Sequence, residues 1–299
     1  MDFIEVRDVV FAAHGRADYR SGLDAIDAYA GAIPEEVSDL AYWRMCLLSR
    51  LGETEAACVE FARRLGEGYW WGEAILADAD FDNVRNHTRW KQLVSISLSR
   101  AAEVSSDPRQ PIDVRPTVAI ADTLVLFHGA GSHAQFMIDR YRSVVEHGYR
   151  LLALHGTERM SSHRFSWSAV EAEKAALSQL REVGNPEQPI LTGFSQGAGV
   201  AGHLAWEGKY QAGGVMLVAP SLGIRGVPIS SRAIHTTPTY ILAGTDDRAI
   251  EDIRRGAAAL RASGVPVRLD ERPNLGHDWP ADFSETLLRA VDWIHAARP

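Results

Sequence analysis

Cysteine is scarce in this chain of 299 residues: Cys46 and Cys58 are the two present. They form no C-x-x-C pair, and their spacing matches no zinc or redox signature, so both read as buried free thiols. Long apolar runs are also missing. No stretch approaches the roughly 20 apolar residues of a bilayer-spanning helix, so no membrane span is expected. Positive charge is not in excess, with 31 Lys and Arg against 39 Asp and Glu and a net charge of −8. Residues 1–110 hold 12 basic and 19 acidic groups, and residues 111–299 hold 19 and 20. Neither part carries the basic footprint of a nucleic-acid partner. The stretch MDFIEVRDVVFAAHGRADYR has acidic groups ahead of any apolar segment and lacks the basic region of a secretory signal. A cytoplasmic protein is expected.

What is present is an ordinary globular composition, 46% hydrophobic and 23% charged, at a length that suits one large domain or two smaller ones. The first hundred residues read as helices without strands. LDAIDAYAGAIP places Leu23, Ile26, Tyr29 and Ile33 on one helical stripe, and LAYWRMCLLSRLGETEAACVEFARRLG gives two helices broken at Leu51 and Gly52. The pair Ala25 and Tyr29 recurs as Ala57 and Phe61. An alanine-to-aromatic pair after a Leu-Gly turn resembles a tetratricopeptide-type repeat, of which residues 37–66 form one full copy. Two uses of such helices stay open: a surface for a protein partner or self-association, and a layer packed on a catalytic domain. Tyr69, Trp70 and Trp71 read as core or interdomain packing, because large aromatics carry the most apolar area.

Pro108, Pro111 and Pro116 mark a polar linker. Beyond it, apolar runs alternate with amphipathic helices: TLVLFHG (123–129), YRLLALHG (149–156), PILTGF (189–194), GVMLVAP (214–220), PTYILAG (238–244) and PVRLDER (266–272) are the strands. Helices are expected near 134–146, 168–184, after Ser195, near 249–263 and near 281–296. Continuous apolar strands between helices indicate a doubly wound, mostly parallel α/β sheet covered on both faces. The expected organisation is therefore a small all-helical domain over residues 1–110 and an α/β domain over 111–299. Such sheets bind ligands at the carboxyl ends of their strands.

The chemistry-bearing residues fall at those ends. Ser195 follows PILTGF directly, in GFSQG, where a strand turns into a helix. A G-x-S-x-G match alone arises easily in a chain with 25 glycines. In this context it fits a nucleophile held outward on a strained turn. A serine hydroxyl needs a base. His277, in NLGHDWP between the last strand and the last helix, is the stronger candidate, and His155 in LLALHG is the weaker. The base needs an orienting acid, and GTDDRAI offers Asp246 and Asp247 after a strand, one of which can cap the following helix. FHGAGSH ends an early strand in a glycine-rich turn, which puts the N–H groups of Ala130 and Gln196 forward as oxyanion donors.

With FHGAG, GFSQG, GTDDRAI and GHDWP in the order Ser, Asp, His, residues from about 111 to 299 resemble α/β-hydrolases of the carboxylesterase, phospholipase and dienelactone hydrolase group. The resemblance implies Ser195 as nucleophile, His277 as base and Asp247 as acid. Gly244 and Ile250 favour Asp247 over Asp246. It implies the Ala130 and Gln196 N–H groups as oxyanion donors, an ester substrate, and no metal or organic cofactor. Dienelactone hydrolases proper use cysteine, and many small carboxylesterases carry an acidic residue after HGxG that is missing in HGAGSH, so neither substrate set transfers directly. Phe136, Met160, Phe165, Trp167 and Trp279 are candidates for the substrate pocket, although each is also explained as core. His128 and His133 read as turn-stabilising groups. Residues 221–237 are too few for a cap domain, a role open to the amino-terminal helices. The expectation is a serine hydrolase of carboxylic esters or thioesters. Two alternatives remain, a serine peptidase of the same fold and a non-catalytic platform whose helices recruit a partner.

Overall fold

The computed structural model describes residues 1–29, 33–103, 109–168, 171–221 and 235–298. Pro108 and most of the segment 221–237 lie outside them. The chain forms two compact units, Met1–Asp107 with Arg159–Phe165, and Pro108–Glu158 with Ser166–Pro299. Among the described residues, no helix is long and apolar enough to cross a membrane.

The first unit is helical. Helix α1 (Phe3–Gly15) starts in a capping box: Asp2 accepts the Glu5 N–H at 2.9 Å and Glu5 accepts the Asp2 N–H at 2.8 Å. Helix α2 (Tyr19–Ala28) follows, and α3 (Pro34–Arg50) opens on a proline, whose missing N–H costs nothing in a first turn. The Leu51-Gly52 break lies between α3 and α4 (Thr54–Gly66), with Gly52 at φ +75°. The short α5 (Glu73–Leu76) and α6 (Thr88–Glu103) complete the unit. Ala57, Phe61, Trp70 and Trp71 are buried. Phe61 and Phe81 each lie 4.9 Å from the Trp90 ring, and Phe61 meets Trp71 edge-on at 5.7 Å. Trp70 and Trp71 are thus core, while Tyr69 is half-buried. Cys46 and Cys58 are buried and unpaired as disulfides. Residues 159–165 join this unit through main-chain bonds, Gly72 N–H to Met160 O at 2.8 Å and Ser162 N–H to Trp70 O at 3.0 Å.

The second unit is built on a seven-stranded sheet. Strands β1 (Ile112–Val114), β2 (Asp122–Phe127) and β3 (Tyr149–Leu154) come first, and the two-residue β4 (Glu158–Arg159) and β5 (Phe165–Ser166) stand outside the main sheet. Strands β6 (Ile190–Phe194), β7 (Gly214–Val218), β8 (Thr239–Gly244) and β9 (Val267–Arg272) complete the main sheet in the order β1-β3-β2-β6-β7-β8-β9. All neighbours pair in parallel except β1 with β3. Helices α7 (Ala134–Tyr141), α8 (Ala172–Glu182), α9 (Ser195–Trp206), α10 (Ile250–Ala262) and α11 (Phe283–Ala297) lie between and after the strands. The mostly parallel α/β sheet with intervening helices expected from the alternation is present. The helix expected near 134–146 is shorter: it gives way at Arg142–His147 to a 3-10 segment that ends at Gly148, φ +87°.

The inner strands bury both faces, as their unbroken apolar sequence requires. Strand order reverses at β2. It pairs with β3 on one side and β6 on the other, with Phe127 opposite Gly193. The HGAG turn and Ser195 therefore leave the sheet from adjacent strands at the topological switch point, where open α/β sheets bind ligands.

Candidate active site

Ser195 is the first residue of α9 and has φ +52°, in the left-handed region. For a residue with a Cβ this costs about 1–2 kcal/mol. The neighbouring glycines show why the turn needs them. A Cβ on Gly193 would lie 2.7 Å from the Ala198 nitrogen, and one on Gly197 would lie 2.3 Å from the His128 oxygen and 2.4 Å from the Phe127 oxygen. The start of α9 is thus pressed against the end of β2, and its positive dipole end lies at the serine.

His277 meets Ser195 from the loop after β9. Its Nε2 lies 2.8 Å from Ser195 Oγ, and its Nδ1 lies 2.7 Å from Asp247 Oδ2. Asp247 is buried, and its second oxygen accepts the Ala249 N–H at 2.9 Å. Asp246 is exposed, with Thr245 Oγ1 3.1 Å from its carboxylate. The two loops are clipped together. Thr245 N–H donates to Arg272 O and Asp246 N–H to Leu275 O, each at 2.9 Å, and Asn274 N–H donates to Thr245 Oγ1 at 3.1 Å. A Cβ on Gly244 would lie 1.9 Å from the Leu275 oxygen, so this approach is open only to glycine.

Phe194 lies 5.1 Å from the His277 ring and stacks on Trp279 at 4.8 Å. Trp279 in turn packs edge-on against Phe283 at 4.6 Å and Tyr141 at 5.9 Å. This column supports the His277 loop, so Trp279, a pocket candidate from the sequence, is buried in that packing. Phe136 is buried near Trp279, at 6.5 Å between rings. Phe165 is buried in the first unit with the Arg159 guanidinium 5.7 Å from its ring, where half-buried Met160 also lies.

Ala130 is exposed at the tip of the HGAG turn, and Gly131 there has φ +70°. His133 caps α7 by accepting the Phe136 N–H at 3.1 Å. His128 is fully buried. Its Nδ1 lies 2.8 Å from Gly129 O, and its Nε2 accepts the Gly156 N–H at 2.9 Å. Burial pushes its pKa down to about 3, with His155 and His133 adding to the shift and the Gly129 hydrogen bond opposing it. The imidazole is therefore neutral at physiological pH. Trp167 is buried between these turns. Its Nε1–H donates to His128 O at 2.8 Å, and its backbone is held by the Gln196 side chain.

No family model matches the sequence, and no curated protein aligns with it significantly. Solved structures do match its fold. An uncharacterized protein from Bacillus cereus ATCC 10987 aligns over 99% of this chain and 100% of its own, with TM-score 0.53 and 20% identity. Esterase PE8 aligns over 62% of this chain and 98% of its own, with TM-score 0.51 and 15% identity. The Bacillus cereus carboxylesterase covers 66% of this chain and 96% of its own, with TM-score 0.50 and 17% identity. At these identities the likeness is one of fold.

Proposed function

We propose that this chain is a serine hydrolase that cleaves carboxylic esters or thioesters through an acyl-enzyme. The observation that carries the reading is the hydrogen-bonded series from Asp247 through His277 to Ser195, at 2.7 and 2.8 Å. Likeness in fold to an esterase and a carboxylesterase supports it. Residues 111–299 supply every group involved and form the proposed catalytic domain. The helices of residues 1–110 are proposed as a tetratricopeptide-like region, a reading supported by the buried Ala57 and Phe61 of the α3–α4 hairpin.

Ser195 Oγ attacks the substrate carbonyl while His277 Nε2 takes its proton. The proton then passes to the departing alcohol or thiol, and water repeats the sequence to release the acid. Asp247 holds the tautomer with Nδ1–H and stabilises the imidazolium that forms. The N–H groups of Ala130 and Gln196 receive the oxyanion, with the α9 dipole adding to them. The chemistry calls on no metal or organic cofactor. Ser195→Ala should keep the fold and lose nearly all turnover of a p-nitrophenyl acyl ester, together with labelling by a fluorophosphonate. Unchanged turnover would reject the reading.

A further inference from the structure

Ala130 and Gln196 belong to turns after different strands, yet an oxyanion site works only if their N–H groups converge on one point. The hydrogen bonds behind these turns meet at one residue. We propose that Trp167 is a positioning residue that fixes both oxyanion-binding N–H groups relative to each other. The inference rests on the hydrolase reading above.

On the Ala130 side, the N–H in question shares a planar trans peptide with the Gly129 carbonyl, so the two point in opposite directions. Whatever holds the carbonyl aims the N–H. His128 does so. Its Nε2 accepts from the Gly156 N–H, which can only donate, so the proton is on Nδ1 and is directed to Gly129 O at 2.8 Å. His128 is itself held by its own carbonyl, which accepts the Trp167 indole N–H at 2.8 Å. The Trp167 and His128 rings lie 5.3 Å apart.

On the Gln196 side, the side-chain amide closes on the Trp167 backbone as a neighbouring strand would. Oε1 accepts the Trp167 N–H, Nε2 donates to the Trp167 carbonyl, and the Ser166 hydroxyl donates to Oε1, each at 2.9 Å. The residue whose main-chain N–H serves the oxyanion is therefore anchored through its own side chain. Trp167 joins the two turns with its indole on one and its peptide groups on the other. Being about 1% exposed, it acts behind the site and not on substrate.

The test uses the full chain and p-nitrophenyl butyrate, with active sites counted by fluorophosphonate titration. Trp167→Phe keeps a ring in the core and removes the indole N–H. Gln196→Met keeps the main-chain N–H and removes the clamp. Loss of an oxyanion donor costs about 10²–10³ in kcat, so displacement of one should lower kcat per titrated site by roughly 10–100-fold, with KM within about twofold. Inhibition by a trifluoromethyl ketone, which forms an oxyanion, should weaken by a similar factor, while binding of the corresponding methyl carbinol stays unchanged. A merely structural role would reduce the number of titratable sites and leave kcat per site alone. The double variant should lose less than the product of the two single losses, because both act through Trp167. An unreactive wild type overturns the hydrolase reading and this inference with it. A reactive wild type with kcat per site unchanged in Gln196→Met and in folded Trp167→Phe overturns this inference alone.

Discussion

Gly197 approaches the carbonyl of His128 so closely that a Cβ on it would lie 2.3 Å from that oxygen. Two main-chain segments meet there, so neither can yield by rotating a side chain. Gly197→Ala must move the start of α9 away from β2, and with it Ser195 and the Gln196 N–H. Overpacking of this kind costs about 1–3 kcal/mol, and displacement of reacting groups by about 1 Å costs around 10²-fold in rate. Thermal denaturation together with kcat per titrated site should show both losses.

The two aspartates after β8 separate cleanly. Asp247→Asn can keep its oxygen on the Ala249 N–H, which turns the amide NH2 toward His277 and favours the tautomer with Nε2–H. That tautomer cannot take the Ser195 proton, and kcat should fall about 10⁴-fold. Asp246→Asn, at an exposed side chain, should stay within about threefold of wild type. Equal losses in the two variants, measured with the same ester, would contradict the assignment of the acid.

In the first unit, Arg164 Nε donates to Asp39 Oδ1 at 2.7 Å, with both side chains under 10% exposed, and the guanidinium stands 4.2 Å from the Tyr42 ring centroid. Asp39→Ala leaves a buried cation without this carboxylate. The expected cost is about 3–5 kcal/mol in urea denaturation. Replacing both partners by Leu should recover much of it, because the desolvated charge is then gone.

How much of this is legible in the sequence follows from what each element buries. Strands β2, β3, β6, β7 and β8 are covered on both faces, so they appear as apolar runs, and Ser195 and the HGAG turn stand out because each directly follows one, while Asp247 lies in the short turn after β8. Strand β1, three residues beside prolines, and the two-residue β4 and β5 are too short to leave a period. The excursion of residues 159–165 into the helical unit leaves no local pattern, since its partners Asp39, Trp70 and Gly72 are about 90 or more positions away. Trp167 illustrates the same limit. Its aromatic character marks it as core or pocket, and only the fold brings its indole to His128 and its backbone to Gln196.

His128 ties the turn geometry to pH. Its pKa falls from an ordinary 6.5 to about 3 because burial disfavours the imidazolium. Between those values the unfolded chain takes up a proton that the folded chain refuses. Stability contributed by this group is therefore complete above about pH 6.5 and is lost as pH falls, with a slope of about 1.4 kcal/mol per pH unit well inside the window. His128→Asn removes the titration while leaving an amide able to donate to Gly129 O. Other groups titrate in both proteins and cancel in the comparison. Urea denaturation at pH 5.5 and 4.5 should show wild-type stability falling more steeply than that of the variant by about 1.4 kcal/mol per unit. Parallel slopes would mean that the imidazole accepts its proton in the folded state, and Nε2 would then carry a proton and could not accept the Gly156 N–H, the bond from which the neutral Nδ1–H form is assigned.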